Sequence, residues 1–374
     1  MEKVYHWQHK ILMVYDSGKI REQFLSLIVS GMYGVPADKN LLADCDWQEI
    51  IKTAREQAVT GLLVDGMETL PEGMLPEKTI RQQLVSSVLM IEKANRNTTK
   101  TLCAFSKLLN SEGFRHFIVK GQVIAAEYIN PLHREPGDID IWIPDAEEAE
   151  KAFRWAGNNF RCRWMPGEKE TSFTWNGALI ELHRRMADMQ YRPYQKMLQD
   201  ILSHGASNPR TVSLYGMDIL TLPDEIMLVY LLVHAEYHIL NEGLGLRQLC
   251  DIAIFIKKHF TADDSIQDKL DRCGISQISA AIGHILHKDL GLDKNLIPFR
   301  ISSKGAEIIR EDIWAGGNFG KKRYGHVSNY NFIHRKLTML PVHCRQYLRY
   351  RKLLPNEAWA NLISKFGRAA KGIK

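Results

Sequence analysis

Only 6 of the 374 residues are cysteine, and none stands in a C-x-x-C pair. That spacing excludes a zinc knuckle or a dithiol redox centre and leaves six single thiols, most of them expected to be buried. No uncharged apolar run approaches the roughly 18 residues that a membrane-crossing helix needs. The opening stretch, MEKVYHWQHKILMVYDSGKI, lacks the apolar centre and small-residue cleavage site of a secretory signal. A cytoplasmic chain without a transmembrane segment is therefore expected. Internal repeats and low-complexity tracts are also missing, which excludes solenoids and disordered arrays. Acidic residues are scarce in one place only. Between Lys321 and Lys374, 13 Lys and Arg stand against the single acid Glu357, so these 54 residues carry +12 while the rest of the chain sums to −6. A basic segment of this kind meets phosphate groups on a nucleotide, a nucleic acid or an anionic lipid surface, or an acidic surface of its own chain, or is simply a solvated helix face.

What remains is an ordinary globular composition, 45% hydrophobic and 25% charged, long enough for two or three domains. Three regions separate by period. Residues 1–112 are read as an N-terminal helical region, with apolar residues three and four apart in REQFLSLIVSGM, DWQEIIKTAREQAVTGLLVDGMETL and a long helix begun by a proline. Residues 113–222 switch to strand-like pieces, HFIVK, DIDIWIP, TSFTWNG, ALIELHR and TVSLYGMDILTL, with helices at QVIAAEYI and DAEEAEKAFRWAG. Residues 223–374 return to helix and end in the basic segment. The fold class expected is α+β, a mixed-sheet core flanked by helical regions.

The chemistry sits in GDIDIWIP. As a strand it turns Ile139, Ile141 and Ile143 to one face and Asp138 and Asp140 to the other, their Cα atoms about 7 Å apart. Two carboxylates on one largely buried face repel, and one takes a proton unless a cation intervenes. Oxygen ligands without a nearby His or Cys suit Mg²⁺ or Mn²⁺ better than zinc. In ALIELHR the same alternation sets Glu181 on a neighbouring strand, so three acids from two strands form a candidate two-metal site for phosphoryl displacement. The plainer alternative has both aspartates exposed on an edge strand and Glu181 paired with Arg184.

HFIVKGQVIAAEYI reads as a strand, a tight turn at Lys120-Gly121-Gln122 and a helix opening at the turn, which presents backbone N–H groups to an anion. With Gly121, Asp138, Asp140 and Glu181, the sequence resembles the DNA polymerase β-type nucleotidyltransferase superfamily. More narrowly, IVKG, the GDIDI stretch and IELH look like the uncharacterised bacterial nucleotidyltransferases that carry an "lKG…R…DiDl…eLH" signature. The likeness covers the middle third and extends more loosely into LLVHAEYH and LRQLCDIAIFI. There are departures. Gln122 stands where the superfamily has Gly or Ser, NPLHREPG lengthens the path from Gly121 to Asp138, and Glu181 replaces the commoner Asp.

The resemblance implies an Mg²⁺- or Mn²⁺-dependent transfer of a nucleoside monophosphate from an NTP, ATP in the first instance, to an unidentified acceptor. Asp138, Asp140 and Glu181 are the metal and catalytic candidates. Lys120, Gly121, Gln122 and Arg134 are the nucleotide-binding candidates. Lys120 read alone is equally a solvated strand end, and Arg134 equally a loop partner of Glu135. His234 and His238 share a helix face but lack the Glu that a zinc-protease helix places after its first His, so they are read as lining a cleft or packing. Arg247 and Asp251 are read as an ion pair four apart on a helix. The alternative function is a non-catalytic nucleotide-binding or interaction protein that kept the fold. Nucleic acid is a less favoured partner, because RYRKLL and KFGRAAKGIK are read as an acceptor- or membrane-facing basic patch without the regular aromatic interleaving of a base-stacking platform.

Overall fold

A computed structural model describes residues 2–318 and 332–371, with side chains described for 18–318 and 341–367. Helix α1 (Glu2–Tyr33) is followed by α2 (Trp47–Gln57), α3 (Thr60–Met67) and the long α4 (Lys78–Ser111). The Asp46 side chain caps α2 by accepting from the Glu49 N–H at 3.0 Å, and Ala58 ends it in the left-handed conformation. α1 and α3 cross at glycines. A methyl on Gly31 would lie 2.0 Å from the Leu62 carbonyl oxygen, and one on Gly66 2.0 Å from that of Leu27. Only hydrogen lets these backbones meet, and the approach buries Leu27, Ile28 and Leu63 between them.

The central sheet has the order β1-β2-β4-β3. It comprises β1 (Phe117–Ile118), β2 (Ile139–Trp142), β3 (Glu170–Trp175) and β4 (Ala178–His183). β1 and β2 are antiparallel, β2 and β4 parallel, and β3 and β4 form a hairpin, so the sheet is mixed. Asn176 and Gly177, both at positive φ, close that hairpin tightly. α5 (Gln122–Ala125) and α6 (Ala146–Phe160) lie between the strands. α7 (Arg192–Ser207) leads to a second hairpin, β5 (Arg210–Leu214) with β6 (Met217–Thr221). The α+β class follows directly.

Several expectations need correction. QVIAAEYI yields a helix of only four residues, α5, and then turns. β2 is buried along its whole length and flanked by β1 and β4, which overturns the alternative of aspartates exposed on an edge strand and leaves the carboxylate face covered. The cover is α8 (Asp224–Asn241), itself almost wholly buried, which packs beside α9 (Leu246–His259). Of the cysteines only Cys250 and Cys273 are buried, and the other four are half-buried.

The chain continues through α10 (Gln267–Arg272), α11 (Ser276–Lys288) and α12 (Ala306–Gly316) to α13 (Phe332–Tyr350) and α14 (Pro355–Lys371). The basic segment is not a free tail where it is described. Tyr350, Leu353, Leu354 and Ala358 are buried, and the Tyr350 hydroxyl donates to Asp312 at 2.6 Å. Gln346 donates to the Ile239 carbonyl at 3.0 Å, which ties α13 to α8. Residues 321–331 of that segment lie outside the described residues.

Gly66→Ala and Gly31→Ala should each destabilise the fold by about 1–3 kcal/mol, because the added methyl meets backbone and forces α1 from α3. Gly18, which has nothing within 4 Å, supplies the control. Gly18→Ala should leave stability unchanged or raise it by up to about 1 kcal/mol. Urea melts of the three variants decide this, and equal midpoints would show that the crossing is not held by its glycines.

Candidate active site

The parallel register of β2 on β4 sets Asp140 directly opposite Glu181. Parallel neighbours lie about 4.8 Å apart, so the two side chains leave the sheet on the same face and side by side. His183, two residues beyond Glu181, shares that face. Its Nε2 lies 3.1 Å from Asp140 Oδ1 and 3.4 Å from Glu181 Oε2, and its Nδ1 lies 3.2 Å from Glu170 Oε2 on the adjoining strand. Lys120 reaches in from the turn after β1 and places Nζ 3.0 Å from Asp140 Oδ2. Asp138, one residue before β2, lines the same cleft.

The electrostatics follow from that packing. Burial pushes the Asp140 carboxyl up, but Lys120 and His183 outweigh it and hold the pKa at about 2. Burial works against a charge on His183 too, yet its contacts with Asp140, Glu170 and Glu181 raise it to about 10. Glu170 is held at about 2, chiefly by its contact with the His183 imidazole. Asp138 moves the other way: burial and then repulsion from Asp140 raise it, against the pull of Lys120. Lys120 is shifted upward, the attraction of Asp140 and other neighbours overcoming its desolvation. Lys120 and His183 thus offset only part of the negative charge of Asp138, Asp140, Glu170 and Glu181.

Around this cluster opens a cleft of about 380 Å³. One wall is the acidic sheet face. The opposite wall is α8, with Tyr230, His234, Tyr237 and His238. His234 and His238 face each other at 3.0 Å between their Nε2 atoms, and His238 Nδ1 lies 3.1 Å from Glu242. Burial, then Lys120, keeps His234 far below the usual histidine range, so it is neutral. Arg134, Arg247, Gln248 and Asp251 form one end, where α9 begins. Lys169 and Asp188 also line the cleft.

The connection from α5 to Asp138 is pinned at Tyr128 and along residues 132–135. Asn95 of α4 donates to the carbonyls of Leu132 at 2.7 Å and Arg134 at 2.6 Å. His133 Nδ1 lies 2.6 Å from Asp65, and Glu135 accepts from the Thr60 N–H at 3.0 Å. Arg134 donates twice to Asp251, at 2.8 and 2.9 Å, and Tyr128 donates to the same carboxylate at 2.6 Å. The bidentate partner of Asp251 is therefore Arg134, where the sequence suggested Arg247, and Arg134 pairs with Asp251 rather than Glu135. Arg247 donates to the Glu135 carbonyl at 2.9 Å.

Of the residues singled out by sequence, Lys120, Gly121, Arg134, Asp138, Asp140 and Glu181 line one cleft. Gln122 does not. Its amide turns into the core and donates to Thr99 at 2.6 Å and Asn95 at 3.3 Å. Gly121 adopts φ 55°, ψ −118°, a conformation closed to residues with a Cβ, so the turn needs glycine for its backbone. The expectation of a site free of histidine is also corrected. Among the described residues, Asp140, Glu181 and His183 are the group whose ligand atoms lie within 4.8 Å of one another, and Asp138 stands beside them.

A family model described as an uncharacterised nucleotidyltransferase matches residues 43–291, well over half of the chain, and the chain belongs to that family. No curated protein matches. Among solved structures, the crystal structure of an antigenic nucleotidyltransferase-like protein from Paracoccidioides brasiliensis is similar at 14% identity and a TM-score of 0.38. The match covers 56% of this chain and 96% of that one.

Asp251→Ala should destabilise the protein by about 3–5 kcal/mol, because it leaves the buried Arg134 guanidinium and the Tyr128 hydroxyl without their acceptor. Arg134→Met with Asp251→Leu, which removes both charges at similar volume, should recover most of that loss. Thermal melts of the single and double variants test the pair. A double variant as unstable as Asp251→Ala would show that the loop is not held through this ion pair.

Proposed function

We propose that the cleft binds a nucleoside triphosphate, ATP in the first instance, with a divalent cation, and transfers its nucleoside monophosphate to an acceptor hydroxyl or phosphate. The observation that carries this reading is the strand register that brings Asp140 and Glu181 together beside Asp138. Two acids side by side with a third lining the same cleft are costly for stability unless they serve a cation.

The donor set fits Mg²⁺ or Mn²⁺. Carboxylate oxygens dominate it, and an imidazole at its edge is better tolerated by Mn²⁺. Asp138, Asp140 and Glu181 would hold the metal, with His183 either a fourth donor or the cation that steadies Asp140 and Glu181. A bound ion pair would supply electrostatic stabilisation to the attacking and leaving oxygens of an in-line displacement. The protein's own groups divide the remaining work. Lys120, now 3.0 Å from Asp140, would neutralise phosphate oxygens of a bound nucleotide. Arg134 and Arg247 give one end of the cleft a positive field suited to the distal phosphates, and Asp251 fixes the plane of the Arg134 guanidinium. Glu181, at the edge of the cluster, is the candidate base for the acceptor hydroxyl. We read residues 113–222 as the catalytic core, 1–112 as the helical support of its loop, and 223–374 as the helical region that closes the cleft.

A second reading, nucleotide binding without catalysis, is favoured by two observations. Lys120 and His183 already neutralise Asp140, and the inward Gln122 offers a ligand nothing.

Incubation of the protein with each labelled NTP, Mg²⁺ or Mn²⁺ and a cell extract should label an acceptor. Asp140→Asn should lower labelling about a hundredfold or more while the far-UV spectrum stays native. Labelling by Asp140→Asn at the wild-type rate would contradict the assignment. Metal-dependent nucleotide binding with no labelled product would favour the second reading.

A further inference from the structure

Helix α14 packs with its sides exchanged. The residues it turns inward include Glu357, Ala358 and Asn361, and Glu357 accepts from the backbone N–H groups of Gln190 at 2.5 Å and Tyr191 at 2.9 Å. Lys365, one turn beyond Asn361, joins His238 in holding the Glu242 carboxyl below its usual range, the His238 hydrogen bond being the larger cause. The large apolar residues point the other way. Trp359, Ile363 and Phe366 are 52, 52 and 45% exposed, and their spacing of four and three puts them on one stripe. Leu348 of α13, 60% exposed, extends the patch beside Tyr347, whose ring meets that of Trp359 at 5.6 Å. Large apolar side chains gathered on one surface mark a site of contact.

The surrounding charge indicates what covers it. Arg345, Arg351 and Lys352 are exposed in the same two-helix unit. The sole acid between Lys321 and Lys374, Glu357, is the one turned inward. This two-helix unit thus exposes an apolar stripe together with basic side chains, while its one acid is buried. A second copy meeting it through the same segment would bring like charge against like. A nucleic acid would gain stacking from Trp359 and Phe366 but nothing from Ile363 and Leu348, which have no π-face. An interface of acyl chains and anionic headgroups satisfies both features together, because apolar side chains and basic residues each contribute to binding at its surface.

We propose that α14, with the adjoining end of α13, docks the protein on an anionic lipid surface. Contact is through Trp359, Ile363, Phe366 and Leu348, with the flanking Arg and Lys on the headgroups. The helix lies in the interface and does not cross it; no helix among the described residues is long and apolar enough to span a membrane.

The test is sedimentation of the full chain with vesicles of phosphatidylcholine alone and of phosphatidylcholine with phosphatidylglycerol, at low and high salt. Wild type should sediment with the anionic vesicles at low salt, less at high salt, and little with phosphatidylcholine. The triple variant Trp359→Ser, Ile363→Ser, Phe366→Ser should bind about tenfold or more weakly, and its melting temperature is measured alongside because Trp359 also packs on Tyr347. If the triple variant melts lower, Leu348→Ser and Phe366→Ser taken singly carry the same comparison. No binding to anionic vesicles by wild type, or equal binding by the variants, overturns the proposal. So does a concentration-dependent dimer, or an RNA gel shift, that depends on the stripe while vesicle binding does not.

Discussion

The parallel pairing of β2 with β4 is the constraint on which the rest of the molecule depends. It fixes Asp140 against Glu181 in a place from which most water is excluded. Negative charge so placed must be balanced, and the chain does this with Lys120 from one connection and His183 from the next position on the same face of β4. The low pKa of Asp140 and the high pKa of His183 are two descriptions of one attraction. A one-residue slip of β4 would send Glu181 and His183 to the apolar face together.

Balance at the acidic cluster has structural consequences farther out. The sheet face that carries these groups needs a polar covering, and α8 supplies Tyr230, His234 and His238 there while burying Leu228, Val229 and Leu232 elsewhere on its surface. The loop before β2 must hold Asp138 at the rim, and it is anchored from three directions, by α4 through Asn95, by α3 through Asp65 and by α9 through Asp251. The helical regions on either side of the sheet thereby share in positioning one cleft.

Part of this was legible in the sequence. Period-two alternation was enough to set Asp138, Asp140 and Glu181 on polar faces, and it carried one further step that went unused: Glu181 and His183 are also two apart, so IELH already places the imidazole beside the acid. The signal was present, but a histidine after a strand reads as easily as a strand end. Gln122 was harder, since nothing local shows that its amide turns inward to Thr99 and Asn95, residues more than twenty positions away. The partner of Arg134 is likewise a matter of tertiary packing. Asp251 is 117 residues distant, while Glu135 is adjacent and Arg247 lies one turn from Asp251, so local rules chose the wrong pairs. The expected length of α5 failed because QVIAAEYI is apolar on all sides, a pattern that fits any buried segment. The outward stripe of α14 was unreadable for a related reason, since periodicity locates an apolar face but not the direction in which it points.

The central claim is that the charge cluster at the β2–β4 register exists to hold a divalent cation with a nucleotide. Diffraction from crystals grown with Mn²⁺ and a non-hydrolysable ATP analogue, recorded at the manganese edge, tests it most directly. The account predicts anomalous density among the carboxylates of Asp138, Asp140 and Glu181, with Lys120 moved off Asp140 toward phosphate. Nucleotide bound in the cleft without metal density there, and with the Lys120–Asp140 contact intact, would contradict it.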